Sequence, residues 1–237
     1  MTSTPKPWSA ALAGAATVCL AGAAQATVLV DFGSNTLTTS PDTNGNTWNN
    51  NTGPTFDDLL TTAGANSGID IQFTTNLSPG ANGGLASPSA ALLGDLAIGS
   101  ATSDYFFTTS THSFELRDLD PASTYTLTLF GTRATDGTRV TRYTATDAGG
   151  ASSADLQTSG VGIGDDGVYN GNDDEVAVIA GLVPDANNAI AIDYTALSGG
   201  FGYLGALQIE AVPVPEPASL ALLGLGGLAA SARRRRG

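Results

Sequence analysis

From residue 28 onward, apolar residues recur in runs of strand length, at 28–32, 69–75, 105–108, 113–116, 125–131, 140–146, 176–179, 189–194 and 203–211, with Gly, Pro, Asn and Asp gathered between them. In Thr124-Tyr125-Thr126-Leu127-Thr128-Leu129-Phe130, Tyr125, Leu127 and Leu129 share one face and the threonines the other. That two-residue period is the mark of a half-buried strand. Only 87–98 has helical spacing, with Ala90, Ala91, Leu93 and Ala97 about a turn apart, which predicts one short covering helix. Strands bounded by turn residues, without alternating helices, predict an all-β fold, a β-sandwich of jelly-roll type. The expected organisation is a leader over 1–26, one β-sandwich domain over 27–212 and a C-terminal segment over 213–237.

The leader carries one cation (Lys6), an apolar run over 10–24 and Ala24-Gln25-Ala26, the small-x-small pattern of signal peptidase substrates. Cleavage is expected after Ala26. Cys19, the only cysteine, falls inside that leader, so the mature domain would have no thiol and no disulfide framework. At the other end, 218–232 is apolar but as a helix reaches only about 22 Å, against a hydrocarbon core of roughly 30 Å. Four arginines, Arg233, Arg234, Arg235 and Arg236, follow it and would stay cytoplasmic, leaving the rest outside. Pro215 and Pro217 bar a regular helix from starting earlier and hold this junction extended.

Val214-Pro215-Glu216-Pro217-Ala218-Ser219, the glycine-containing apolar stretch 220–228 and the arginine cluster together resemble the PEP-CTERM sorting signal. The resemblance implies an exosortase-type membrane transpeptidase as partner, transient anchoring through a short transmembrane sorting helix, removal of the tail near residues 215–217 and delivery to the cell surface or extracellular matrix. It makes Glu216 a recognition residue of a substrate. Leu119-Asp120-Pro121-Ala122-Ser123-Thr124-Tyr125, together with the late 202–210 stretch, resembles the galactose-binding-like and malectin-like jelly rolls. That resemblance implies the fold, and none of the residues here match a ligand-binding set of those families one by one.

Charge narrows the partners. Acidic residues number 22 against 9 basic ones, and only Arg117, Arg133, Arg139 and Arg142 lie between leader and tail. Nucleic acid, whose binding needs clustered cations, is excluded on this ground. Residues 165–175 place Asp165, Asp166, Asp173, Asp174 and Glu175 beside Asn170 and Asn172, with glycines that let a loop fold around an ion. Calcium takes six to eight such oxygens. The spacing departs from an EF-hand, because the third and twelfth positions of a loop begun at Asp166 are Val168 and Ala177. A solvated acidic loop is the alternative to a Ca²⁺ site. Trp48, among Asn49, Asn50 and other amides, offers the stacking surface and hydrogen bonds of a sugar site, or equally a core anchor flanked by Asn-Gly turns. Phe56, Tyr169, Phe201 and Tyr203 carry the same two readings.

Hydrolase chemistry finds little support. Asp31-Phe32-Gly33-Ser34-Asn35 resembles the nucleophile block of the SGNH esterases, yet the only histidine, His112, lies in a Thr/Ser-rich segment without the accompanying Asp-x-x-His pattern. A glycosidase would need two carboxylates set across a cleft, and the sequence singles out no pair. The expected function is therefore non-catalytic: carbohydrate binding, with extracellular polysaccharide as partner, or a matrix-associated structural role. Mass spectrometry of the exported protein is expected to find an N-terminus at Thr27 and a C-terminus within 215–217; an intact Arg236 on the mature protein would contradict the sorting reading.

Overall fold

The computed structural model describes residues 26–161, 163–164 and 169–214. In chain order the strands are β1 (Ala26–Phe32), β2 (Trp48–Asn51), β3 (Thr55–Phe56), β4 (Asp70–Phe73), β5 (Pro79–Gly80), β6 (Tyr105–Thr108), β7 (Thr111–Arg117), β8 (Ser123–Phe130), β9 (Arg139–Asp147), β10 (Gly150–Ser159), β11 (Ala177–Leu182), β12 (Ile190–Ser198), β13 (Gly202–Leu204) and β14 (Ala206–Pro213). One sheet runs β11-β8-β14-β1-β2, a second runs β10-β9-β12-β7-β4-β3, and a small third sheet runs β13-β6-β5. This is the all-β sandwich that the hydrophobic pattern predicts.

Alternation along each strand builds the core. Val28, Val30 and Phe32 of β1, Tyr125, Leu127 and Leu129 of β8, and Leu207 and Ile209 of β14 meet Ile71, Phe73, Phe114, Tyr143, Ile192 and Tyr194 of the second sheet. At one end Phe32, Phe73, Phe106 and Phe114 interlock, with ring centroids 5.1–6.2 Å apart. The opposite face of the first sheet is covered as well. Leu29, Trp48, Phe130 and Ala206 pack there against Leu85, Leu93, Leu96 and Ala101.

That cover corrects one expectation. Instead of a single helix over 87–98 there are two short helices, Ala90–Leu93 and Gly99–Thr102, joined by a 3-10 turn at Gly94–Leu96. Gly94 takes φ +57 at the end of the first helix, and the chain bends there. Strands β2, β3, β5 and β10 escape the sequence reading. The Asn-rich β2 carries one hydrophobe, β3 and β5 are two residues long, and β10 is an edge strand whose first residues are exposed, so none shows an apolar period.

The Asp-Pro turn before β8 forms as its residues suggest. Asp120 Oδ1 accepts from the Ala122 amide at 2.9 Å and Oδ2 from the Ser123 hydroxyl at 2.9 Å, while the Asp120 amide donates to the Tyr125 hydroxyl at 2.8 Å. Leu127 sits in the middle of β8, between Ile179 and Ile209, and is fully buried. Leu127→Ala is expected to cost about 2–5 kcal/mol, measured as a lower denaturation midpoint with unchanged cooperativity.

Candidate functional site

The strand register sorts the loops to two ends. Ala26 of β1 faces Ala211, and Pro213 of β14 faces Ser123, so the chain enters and leaves the sandwich at the same end. A cleft there is lined by Ala26, Asp118, Asp120, Tyr125 and Pro213. The other ends of these strands, Asp31 against Ala206 and Phe130 against Ala206, lie about 24 Å away at roughly 3.4 Å per residue. To that distal end belong the loops after β1 and β8, the start of β9, and the turn from β12 into β13.

At the distal end, arginines and aromatic rings converge. Tyr105 of β6 and Tyr203 of β13, both buried, meet edge to face at 4.9 Å. Arg133 Nη1 donates to the Tyr105 hydroxyl at 2.9 Å, and that hydroxyl donates in turn to the Asn82 carbonyl at 2.9 Å. Arg139 Nη1 donates to the Tyr203 hydroxyl, and its guanidinium lies 4.4 Å over the Phe201 ring. Phe201 and Phe107, both half-buried, stand 6.1 Å apart beside it. Burial raises the pKa of Tyr105 and Tyr203 against the opposing pull of the nearby arginines, and pushes Tyr169 up to about 12, so these hydroxyls remain neutral.

Close backbone approaches hold the cluster. A Cβ on Gly131 would lie 2.6 Å from the Tyr203 carbonyl and 2.7 Å from the Tyr143 hydroxyl, which itself donates to that carbonyl at 2.5 Å. Gly199, at φ +72, passes so near the Thr138 carbonyl that a side chain has no room. A half-exposed apolar platform beside fixed cationic donors suits a ring-shaped, polar ligand.

A second feature lies behind the loop after β1. Asp31 and Asp104 are each only 1% exposed. Asp104 Oδ2 accepts from the amides of Asn35 (2.9 Å) and Thr36 (3.0 Å), and Asp31 Oδ2 from the Thr38 amide (3.1 Å). The two carboxylates thus pin the loop by its backbone, while each Oδ1 is buried without a hydrogen bond. Burial, joined by the charge of Asp104 and opposed by the bonds from Thr38, pushes Asp31 up to about 7; burial also raises Asp104.

The residues singled out in the sequence fare differently. Trp48 takes the core-anchor reading: it is 3% exposed, packs in the second hydrophobic cluster and donates its indole N–H to Asp42 at 2.8 Å. No face of it is open to a sugar. Asn49 bonds the Leu29 and Leu60 carbonyls and the Leu60 amide, and Asn50 bonds the Thr38 amide and carbonyl, so both amides are occupied in tying loops. These positions are structural, because β2 has to satisfy neighbouring backbone with its side chains.

In the acidic loop, Asn172 Oδ1 accepts from the Asp174 and Glu175 amides and its Nδ2 donates to Gly131 and Glu175 carbonyls. Asn170 reaches instead to Asp136 at 2.7 Å. Asp173 is buried beside Gly164, and Asp174 and Glu175 line a shallow polar cleft. Among the described residues no three carboxylate, histidine or cysteine side chains converge as a metal would need. Asp165 and Asp166 lie outside the described residues, as do Pro215, Glu216, Pro217, Arg233, Arg234, Arg235, Arg236 and the expected sorting helix. Ala26 is the first residue of β1. His112 Nδ1 lies 3.2 Å from the Tyr194 hydroxyl, with burial lowering its pKa. Phe107, Arg133 and Arg139 escaped the sequence reading. Their signal was the scarcity of arginine in so acidic a domain.

Comparison with known proteins identifies the tail. Residues 213–236 match the PEP-CTERM protein-sorting motif. The chain is therefore an exported β-sandwich protein, held through its C-terminal tail before processing and a substrate of exosortase. No curated protein matches its sequence. Solved structures resembling its fold include the ANXUR2 extracellular domain from Arabidopsis thaliana, at 13% identity and TM-score 0.40 over 80% of this chain and 42% of that one. They also include TmCBM61 in complex with β-1,4-galactotriose, at 12% identity and TM-score 0.30 over 60% and 88% of the two chains. CBM35 from Cellvibrio japonicus Abf62 matches at 11% identity and TM-score 0.33 over 62% and 98%. The chain thus spans less than half of the plant ectodomain's length.

The raised Asp31 pKa has a defined sign. The folded state holds a proton that the unfolded chain releases near pH 4, so stability falls as pH rises from about 4 to 7 and levels off above. The loss from this group is expected to be up to about 4 kcal/mol. Melting temperature should drop over that interval, and Asp31→Asn should flatten the drop; a parallel profile for the variant would refute the assignment.

Proposed function

We propose that this chain is a non-catalytic, glycan-binding protein of the cell surface or extracellular matrix, with its binding face at the distal end. The observation that carries this reading is the pairing of half-buried Phe107 and Phe201, 6.1 Å apart, with the Arg139 guanidinium over one ring. Aromatic rings take the apolar face of a sugar, and fixed donors beside them orient its hydroxyls. Topology supports it: the tail leaves from the opposite end, so a chain held through that tail presents the aromatic face away from the membrane. His112, on β7, has its Nδ1 3.2 Å from the Tyr194 hydroxyl of β12 rather than facing a carboxylate that would orient a catalytic base, which disfavours a hydrolase.

Affinity electrophoresis through gels containing soluble polysaccharides tests the proposal. Retardation by at least one polysaccharide is expected, and Phe201→Ala should weaken it about tenfold with little change in melting temperature. Absence of retardation on every polysaccharide tried would sink the reading. Trp48→Ala should instead lower the melting temperature sharply, as loss of a buried aromatic costs about 3–5 kcal/mol.

A further inference from the structure

The distal face carries two cations, Arg133 and Arg139, that no carboxylate among the described residues pairs. Arg117 is paired with Glu115 at 2.6 Å and Arg142 with Asp155 at 2.7 Å, both on the second sheet. Among the described residues Arg133 and Arg139 have no carboxylate partner, although acidic residues outnumber basic ones 22 to 9. Neutral tyrosine hydroxyls hold them instead, and the buried Arg133 Nε has no hydrogen bond at all. The two tyrosines that hold them, Tyr105 and Tyr203, meet edge to face at 4.9 Å, so the guanidiniums flank one ring pair.

We infer that this face takes a carboxylate-bearing sugar, the uronate residues of an acidic polysaccharide, with Arg133 and Arg139 on the carboxylate and Phe107 and Phe201 on the ring. The inference rests on the glycan-binding reading and deepens it. A neutral sugar is orientable by amides and hydroxyls alone, whereas a guanidinium with unmet N–H groups gains most from a planar, two-oxygen anion. A hydroxyl partner leaves the guanidinium charge intact, which a carboxylate partner would cancel. The negative charge of the remaining domain does not forbid such a ligand. Exposed charges are screened over about 8 Å at physiological ionic strength, so contact at the site outweighs the distant field.

The test uses the full-length chain purified in detergent, run through gels containing polygalacturonate, its methyl-esterified form, dextran, carboxymethyl dextran or dextran sulfate. Polygalacturonate and carboxymethyl dextran should retard the protein at least tenfold more strongly than their uncharged counterparts. Free glucuronate should displace it and glucose should not, a comparison that needs no variant. Arg139→Gln should remove the acidic preference, and Arg139→Lys should fail to restore it, since an ammonium lacks the planar fork. Equal retardation by charged and uncharged gels, with Arg139→Gln unchanged, overturns the uronate inference and leaves glycan binding standing. Stronger retardation by dextran sulfate than by carboxymethyl dextran also overturns it, assigning the site to sulfate. No retardation on any gel overturns both readings together.

Discussion

The zipping of β1 onto β14 is the constraint on which the rest of the architecture depends. The two ends of the domain pair antiparallel in continuous register from Ala26 against Ala211 to Asp31 against Ala206, at the centre of the first sheet. The pairing closes a long stretch of chain. Its entropic cost grows only slowly with loop length and is offset by central strands buried on both faces. Because strand direction is then fixed, the start of β1 and the end of β14 share one end, and the loops after β1 and β8 and the turn from β12 into β13 lie at the other.

Two kinds of polar burial maintain that distal end. Asp31 and Asp104 hold the loop after β1 by its amides, at the cost of leaving one oxygen each without a partner. Arg133 and Arg139 are held in place by hydrogen bonds to the Tyr105 and Tyr203 hydroxyls. The carboxylates therefore tie the loop to the scaffold, whereas the arginines stand beside half-buried rings. Both pairs lie at one end, but the carboxylates are buried whereas the rings beside the arginines are half-buried.

The chain's exit toward the tail and the distal face lie at opposite ends of the sandwich. The tail, matched to the PEP-CTERM protein-sorting motif, concerns transit and carries no information about ligand. The distal face gathers Phe107, Phe201, Arg133 and Arg139. About 24 Å of sheet separates that exit from the distal face.

The sequence by itself determined the strands with a clean two-residue period, the turn before β8, and the sorting tail, because each rests on local chemistry: alternation, an Asp-Pro turn, a short apolar span with arginines. It could not determine which side of Trp48 faced what. A tryptophan among asparagines serves a sugar site or a core equally well, and only the cover from Leu85, Leu93 and Leu96, far along the chain, decided for the core. The broken helix, the edge strand β10 and the joining of Arg133, Arg139, Phe107 and Phe201 likewise followed from tertiary structure. Those residues are contributed by separate strands and turns, and no local pattern reports a neighbour that folding brings from another part of the chain.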